Sequence, residues 1–471
     1  MRPNLLFIIA HDLGRCNSVY GTATDTPNLE AFSREATCFT SAFATAPTCS
    51  PSRASLMTGL YPHQHGLTGL THLGFRMART DRHLAQHLRT AGYRTILSGV
   101  QHEAPTWGEL GYQEYLGADP EAVYQPDFEP VGWDRTNAAA CAAFLRDHAL
   151  GDTSHDAGVS AGGSATPWFL SLGLFLPHRP FPDPEDETSS RVSSSLAAVP
   201  GLPDIPDVRR EMQGFFAAVR EMDRSIGTVL AALWDAHLDE TTVVVVVTDH
   251  GIDMPRYKNT LSDGGLAVTL MVHTPGQRRR AVCSSLVSLV DLYPTVLHLL
   301  GVPVPADMHI SDAQSIAAGC HSHERTHAFS GINYHVAYQP ERAVTTERYR
   351  LVHCCHTHHH IPANIGDSLS KDAYLREYPR ETHATGTPGG PAPWQLYDRW
   401  YDPLQNRNLW DEDTLRETAG ELQQELHRWM VATGDPLLTG EAPLPVGASI
   451  APPESYSSRS ADIIRDQGVL P

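Results

Sequence analysis

An unbroken run of five valines, Val243–Val247, is the feature that most constrains the fold of this chain. Apolar residues at successive positions predict a strand that is buried on both faces. Such strands occur in parallel sheets whose two sides are covered by helices. Other apolar runs of strand length alternate with amphipathic segments, which fits the same arrangement. The expected strands are Leu5–Ala10, Thr95–Leu97, Trp168–Leu174, Thr242–Val247 and Val268–His273.

Helix signals lie between these strands. Thr26 followed by Pro27 predicts a capped helix start and a helix over Pro27–Glu35. Apolar residues spaced three and four apart predict the longest helix, Val208–Leu238. Two further helices are expected at Ser52–Met57 and Asp291–Leu300, and Gly301 is expected to end the second of these. Two segments rich in small and polar residues, Gly151–Thr166 and Ala384–Pro393, are expected to be surface loops.

The pattern changes after about residue 330. Short strand candidates, Ala343–Thr346 and Tyr349–Val352, follow closely on one another and lead to a single helix, Leu415–Thr433. We therefore predict an α/β fold with two parts. Residues 1–330 form a large, mostly parallel sheet sandwiched by helices, and residues 331–471 form a smaller antiparallel sheet with one helix.

Composition disfavours several partners. The formal net charge of −19 disfavours nucleic acid and anionic membranes, and no apolar stretch approaches the length of a membrane span. The eight cysteines form no CxxC pair, and the first apolar run is too short for a signal peptide. These features predict a cytoplasmic protein. They do not indicate its oligomeric state.

Polar residues follow the first and the polyvaline strands directly. His11-Asp12 comes after one strand and Asp249-His250 after the other. Ligands bind at the carboxyl ends of strands in open α/β sheets, so we expect these side chains to share a divalent cation. Their carboxylates favour Ca²⁺ or Mg²⁺, and the imidazole also permits Mn²⁺ or Zn²⁺.

Three further side chains are placed to act at the same edge. His102 and His178 follow two other strands, and Lys258 lies a few residues beyond His250. The imidazoles could transfer protons, and the ammonium could bind an anionic oxygen. Each residue taken alone also fits a loop histidine or a solvated lysine.

A histidine- and cysteine-rich run occupies residues 353–360. Its spacing does not match a zinc-ligand pattern. We expect it to form a rim of the active site or an adventitious metal binder.

Cys49 opens the sequence Cys-Ser-Pro-Ser-Arg-Ala-Ser-Leu-Met-Thr-Gly over residues 49–59. A nucleophile at the start of a helix lies at the positive end of the helix dipole, where an anion is stabilised. Arg53, one turn later, would lie on the same face and bind oxyanion charge. This run resembles the maturation and active-site signature of the sulfatases, within the alkaline-phosphatase-like superfamily.

The resemblance covers nearly the whole chain, from Asn4 to about Asp435. It includes His65-Gly66, Asp249-His250-Gly251 and the later Trp-Gln-Leu-Tyr-Asp at 394–398. Within the family the chain looks most like the heparan N-sulfatase (sulfamidase) branch.

The resemblance implies that a formylglycine-generating enzyme oxidises Cys49 to formylglycine. It places Cys49, Asp12, Asp249 and His250 around a metal that is usually Ca²⁺, with His11 beside them. It also implies roles for the remaining candidates: Arg53 orients the nucleophile, His178 protonates the leaving group, His102 accepts a proton, and Lys258 holds the sulfate. The implied reaction is a two-step displacement that releases sulfate from a sulfated sugar.

Two departures from the family pattern keep alternatives open. His11-Asp12 stands where the family usually has Asp-Asp, and Gly99-Val100-Gln101-His102 stands where it usually has Gly-Lys-x-His. We predict a sulfuric ester or sulfamate hydrolase. The alternatives are a phosphodiesterase or phosphonate hydrolase of the same superfamily, and a catalytically impaired sulfated-sugar-binding protein.

Overall fold

The computed structural model describes residues 2–150, 166–182, 198–306, 325–356, 361–377, 391–452, 455–457 and 464–465. The two expected loops, Gly151–Thr166 and Ala384–Pro393, fall almost entirely outside these ranges. Within the described ranges, no helix is both long enough and apolar enough to cross a bilayer.

A large mixed sheet forms the centre of the molecule. The first ten strands of the chain are β1 (Asn4–Ala10), β2 (Thr37–Phe39), β3 (Ala42–Phe43), β4 (Arg94–Gly99), β5 (Glu114–Leu116), β6 (Trp168–Leu174), β7 (Thr242–Thr248), β8 (Leu270–His273), β9 (Ala281–Cys283) and β10 (Val287–Ser288). Eight of them pair in the order β5-β4-β6-β1-β7-β8-β2-β9, and β3 pairs with β10. The pairs are parallel except where β8 runs antiparallel to β7 and β2.

The central strands β1, β6 and β7 are buried along their whole length. Successive side chains of these strands pack into different hydrophobic cores, one on each face of the sheet. Phe7 and Val245 pack into the core on one face, and Ile8 and Val246 pack into the core on the other. The two-sided burial predicted from the valine run is confirmed.

Helices cover both faces. In the described part of the chain the α-helices are α1 (Pro27–Ser33), α2 (Cys49–Thr58), α3 (Pro62–His65), α4 (Leu84–Thr90), α5 (Pro130–Ala149), α6 (Pro206–Asp235), α7 (Asp263–Leu266), α8 (Leu292–Leu299), α9 (Leu369–Glu377) and α10 (Arg416–Thr433). The helices α1, α5 and α6 pack on one face of the main sheet, and α2, α4 and α8 pack on the other. Thr26 precedes α1 as expected, but the predicted side-chain cap is wrong. Its Oγ1 accepts the backbone N–H of Ser18 instead.

A second sheet follows in the C-terminal part. Its strands are β11 (Ala328–Tyr334), β12 (Tyr338–Thr345), β13 (Tyr349–Cys354) and β14 (Trp394–Asp398), and a two-stranded sheet joins β15 (Ser449–Ile450) to β16 (Ile464–Arg465). The four-stranded sheet is antiparallel throughout. One face packs on α10 and the other joins the core of the main part, which confirms the predicted small antiparallel sheet. The prediction of a single helix in this part is wrong, because α9 is also present and packs on α6 of the main part. The predicted boundary between the two parts at residue 330 stays a prediction. It falls inside β11, Ala328–Tyr334.

Candidate active site

The carboxyl ends of β1 and β7 bring two polar pairs together. These strands are parallel neighbours, and their last paired residues are Ala10 and Thr248. His11, Asp12, Asp249 and His250 therefore follow side by side, and all four are fully buried. The backbone N–H of Asp12 donates to Asp249 Oδ1 at 3.0 Å, which fixes the two strand ends to each other.

Cys49 joins this group as the first residue of α2. Its Sγ lies 3.3 Å from His250 Nε2. The hydroxyl of Ser52 donates to the carbonyl of Asp249 at 2.6 Å and ties the first turn of the helix to the end of β7. The structure thus places the cysteine beside the acidic residues, as the sequence predicts.

The residues of this cluster fit a divalent cation. His11, Asp12, Cys49 and His250 each offer a ligand atom, and these atoms lie within 4.8 Å of one another. Among the described residues, Asp249 Oδ2 is buried without a hydrogen-bond partner, although His11 Nδ1 and an Arg53 nitrogen lie 3.3 and 3.5 Å from it. A buried carboxylate oxygen left in this state is costly, and a cation beside it would remove that cost.

Lys258 reaches into the cluster from the loop after β7. Its Nζ lies 2.7 Å from Asp12 Oδ2, and both side chains are buried. Burial opposes the charged ammonium, but Asp12, Cys49 and Asp253 outweigh it and raise the pKa of Lys258. Burial likewise opposes the charged form of Asp12, but Lys258 and nearby histidines hold its pKa well below the usual range. At neutral pH both groups are charged.

The thiol of Cys49 is a poor nucleophile as it stands. Burial raises its pKa, and the neighbouring carboxylates of Asp12 and Asp249 add to the effect against the opposing influence of Lys258. The thiolate is the reactive form of a cysteine, so direct attack by Cys49 at neutral pH is disfavoured.

His102 and His178 lie on two sides of His11, with ring centroids 5.0 and 4.8 Å from it. His102 Nδ1 lies 3.0 Å from His11 Nε2, and His178 Nε2 lies 3.8 Å from Asp12 Oδ2. Burial lowers the pKa of both rings, to about 4 for His178 even though Asp12 opposes the change. Both residues are partly buried, and the side chain of His178 is 27% exposed.

Arg53 has a different set of contacts from the one the sequence suggests. Its guanidinium donates to the carbonyls of Val100 and Gln101 at 2.9 and 2.7 Å, and it lies 3.5 Å from Asp249 Oδ2. Glu103 is also within 3.3 Å, and burial raises the pKa of that carboxyl to about 7 although Arg53 opposes it. The contacts described for Arg53 therefore hold Asp249 and the loop after β4, and none joins it to Cys49.

One residue near the cluster was missed by sequence reasoning. His335, in the turn between β11 and β12, has its Nδ1 2.8 Å from the hydroxyl of Thr48, the residue before Cys49. It follows no strand of the main sheet, so the strand-end pattern used for the other candidates could not find it.

The sequence is similar to those of known proteins. Residues 3–302 match the sulfatase family. The human N-sulphoglucosamine sulphohydrolase is 28% identical, over 92% of this chain and 91% of that protein.

Two solved structures share the fold. A complex with D-glucosamine-2-N,6-O-disulfate has a TM-score of 0.64 at 16% identity and covers 93% of this chain and 99% of that one. The phosphonate monoester hydrolase of Agrobacterium radiobacter has a TM-score of 0.64 at 20% identity and covers 92% and 96%. At these identities the structures show a common fold and no more. The sequence match over residues 3–302 spans more than half of the chain, and this chain therefore belongs to the sulfatase family.

Proposed function

We propose that this chain hydrolyses a sulfate ester or sulfamate of a sulfated sugar and releases inorganic sulfate. The observation that carries the proposal is the position of Cys49. It begins a helix and lies 3.3 Å from His250, beside the carboxylates of Asp12 and Asp249. A nucleophile, a cation site and a buried ammonium thus meet at one edge of the sheet. Attack on a sulfate group requires groups of these three kinds.

The substrate class rests on the relatives. The human relative is named for N-sulphoglucosamine, and a solved neighbour holds a glucosamine carrying sulfate on both nitrogen and oxygen. We therefore propose a sulfated glucosamine as the first substrate to test. The structure supports a sulfamate and a sulfate ester equally.

The family implies that Cys49 is converted to formylglycine, and we propose that a formylglycine-generating enzyme makes this change. The modified residue would supply a hydrated aldehyde, one hydroxyl of which attacks sulfur. The position of Cys49 at the start of α2, in the Cys-Ser-Pro-Ser-Arg run of residues 49–53, supports the proposal. Mass spectrometry of the peptide that contains residue 49 tests it, because the conversion lowers the mass by about 18 Da.

The family also implies a divalent metal, which would polarise the sulfate oxygens when bound. We propose Ca²⁺, the ion that the resemblance implies, held by Asp12, Asp249 and His250 with residue 49 and His11. Two imidazoles in the donor set make Mn²⁺ or Zn²⁺ the alternative. Elemental analysis of the purified protein, before and after dialysis against a chelator, distinguishes the three ions.

The remaining side chains of the site have separate roles in this proposal. Lys258 binds an anionic oxygen of the sulfate, and its charge is secured by Asp12. His178 donates a proton to the leaving group, and His102 accepts one from the nucleophile. A bound sulfate would raise the pKa of both imidazoles, because a nearby negative charge favours the protonated form.

A substrate panel tests the function. We expect free sulfate from N-sulfoglucosamine or from glucosamine 6-O-sulfate, measured by ion chromatography, and at most slow turnover of a phosphonate monoester. Cys49→Ala should abolish release, whereas Cys355→Ala, at an exposed cysteine, should not. Preferred turnover of the phosphonate would favour the phosphonate hydrolase, whose fold the chain shares. Binding without turnover would favour the impaired sugar-binding protein.

The cellular setting stays a prediction. The chain is predicted to be cytoplasmic and to bind neither nucleic acid nor membrane. Fractionation of the native host is the direct measurement.

A further inference from the structure

Three metal-ligating side chains meet on the C-terminal sheet, apart from the active site. Glu341 on β12 is paired directly with Cys354 on β13. Residues directly opposite each other in an antiparallel pair project from the same face, with their Cβ atoms about 5 Å apart. His356, two positions after Cys354, lies beside them.

The donor atoms of these three residues lie within 4.8 Å of one another. His356 Nε2 is 2.8 Å from Glu341 Oε1, and the two side chains are only 9% and 10% exposed. The other ring nitrogen, Nδ1, is buried without a hydrogen-bond partner among the described residues. The imidazole therefore retains an unsatisfied nitrogen in a buried position, which is unfavourable unless a ligand is bound.

Neighbouring amides orient the other two donors. Gln339 Nε2 donates to Glu341 Oε1 at 3.2 Å, and Gln395 Nε2 donates to Cys354 Sγ at 3.2 Å. Hydrogen bonds of this kind fix metal ligands in place. Burial and the carboxylate of Glu341 raise the pKa of Cys354, so the site without an ion holds the thiol.

All three residues are among those that line a cavity of about 80 Å³, together with Lys258 from the loop after β7. A water molecule needs on the order of 15 Å³ of such space, so the cavity can hold one or more. Zinc is commonly bound by three protein ligands with water in the fourth position, and three ligands beside a water-sized space are compatible with that coordination.

The adjacent cysteine does not belong to this group. Cys355 is exposed, and its Sγ lies 3.5 Å from His353 Nδ1. Successive side chains of a strand project to opposite faces, which separates Cys355 from Cys354. The relevant ligands are therefore one thiol, one carboxylate and one imidazole, a combination that spacing along the chain alone does not indicate.

We propose that Glu341, Cys354 and His356 bind one Zn²⁺ ion at a second site, independent of catalysis at Cys49. Binding releases the thiol proton of Cys354 to solvent, and the thiolate and the carboxylate neutralise the charge of the ion. Thiolate and imidazole select Zn²⁺ over the harder Ca²⁺. The ion joins β12, β13 and the segment after β13, and so fixes the cavity wall that faces Lys258.

Cobalt substitution tests the proposal, since Co²⁺ bound by a thiolate gives a near-ultraviolet charge-transfer band. The full chain carrying Cys49→Ser, which removes the active-site thiol, is titrated with Co²⁺. We expect a band whose final amplitude corresponds to one thiolate-bound Co²⁺ per chain, whatever amount of Co²⁺ the active-site cluster also binds, and which disappears when excess Zn²⁺ is added. Adding Cys354→Ser should abolish the band, and Cys355→Ser, the matched control, should leave it intact. Glu341→Gln and His356→Gln should weaken binding on the order of 10-fold or more.

Several outcomes would overturn the proposal. Folded protein that binds Co²⁺ without the charge-transfer band would show that Cys354 is not a metal ligand. Loss of the band in Cys355→Ser, or its persistence in Cys354→Ser, would assign the thiolate elsewhere. If circular dichroism shows that Cys354→Ser does not fold, His356→Gln decides the question, because unchanged affinity in that variant contradicts the site.

Discussion

Lys258 and Asp12 form a buried ion pair at the centre of the active site, with Nζ 2.7 Å from Oδ2. Removing one partner of such a pair leaves an uncompensated charge in the interior. A bound divalent cation would supply positive charge to the same carboxylate. The contribution of Lys258 to the free energy of unfolding should therefore depend on whether a metal ion is bound.

We predict that Lys258→Met lowers the free energy of unfolding of chelator-treated protein by about 3–5 kcal/mol. The loss should be smaller in metal-loaded protein, because the ion compensates Asp12. Urea unfolding with and without a chelator measures both values, and Lys258→Arg, which keeps the charge, is the matched control. Equal losses under the two conditions would show that the metal does not contact Asp12.

Asp134 on α5 provides a test of pH dependence away from the metal cluster. Its carboxylate accepts the backbone N–H groups of Phe175 and Leu176, both at 2.9 Å, at the start of the loop that carries His178. Burial raises its pKa to about 7, although these hydrogen bonds oppose the shift. The folded protein therefore keeps the carboxyl group of Asp134 protonated at pH values at which the unfolded chain has lost that proton. The resulting stabilisation is complete below about pH 4 and is lost as the pH rises to about 7.

We predict that Asp134→Asn removes this contribution. Relative to the unmodified protein, the variant should gain stability between pH 5 and pH 8, by at most about 4 kcal/mol. Denaturant unfolding at several pH values measures the difference between the two proteins, which cancels the other titrating groups. A difference that does not change with pH would mean that Asp134 titrates normally.

At the residue scale, most of the site followed from the sequence. Asp12, Asp249 and His250 were expected at strand ends, and β1 and β7 bring them together. The contacts of Arg53 were not foreseeable, because they depend on the path of the backbone after β4. His335 was missed because a turn of the second sheet brings it to Thr48, and no local pattern encodes that approach.

The junction between α2 and β7 positions the nucleophile at the scale of elements. The Ser52 hydroxyl donates to the Asp249 carbonyl, whereas Ser55, one turn later, is 3.1 Å from His65 Nε2. Both serines are buried on the same helix, but only Ser52 connects the helix to the strand that supplies Asp249 and His250. Substituting Ser52 and Ser55 separately therefore distinguishes an effect on the stability of the helix from an effect on the position of Cys49.

We predict that Ser52→Ala and Ser55→Ala each destabilise the protein by about 1–3 kcal/mol, the cost of losing a buried hydrogen-bond partner. Only Ser52→Ala should also lower kcat, because it frees the start of α2 from β7. Thermal unfolding and sulfate release measured side by side give both quantities. A similar fall in kcat for the two variants would indicate a general effect of destabilisation.

Element boundaries were predicted less well than element identities. The sequence places a helix at Ser52–Met57, whereas α2 begins at Cys49, since its first residues are held by tertiary contacts more than by helix propensity. The strand β12 is longer than the predicted Ala343–Thr346, because polar residues interrupt the apolar pattern. One of them, Arg342, is buried in an ion pair with Asp435, a partner from beyond α10 that local reading cannot supply.

At the scale of the whole molecule, the net charge opposes the proposed substrate. The chain carries a formal charge of −19, and a sulfated sugar is also anionic. The buried ammonium of Lys258 acts at short range inside the site, where salt screens little. The overall charge acts at long range during approach, where salt screens strongly.

We predict that kcat/KM for glucosamine carrying both N- and 6-O-sulfate rises as ionic strength increases from about 10 mM to 150 mM, since the Debye length falls from about 30 to 8 Å. Glucosamine 6-O-sulfate is the control, because its ammonium balances its single sulfate and leaves no net charge to be repelled. Its kcat/KM should change much less over the same range. If kcat/KM for the disulfated sugar falls instead, a local cationic surface outweighs the global charge during approach, and the positive potential of the site extends well beyond Lys258.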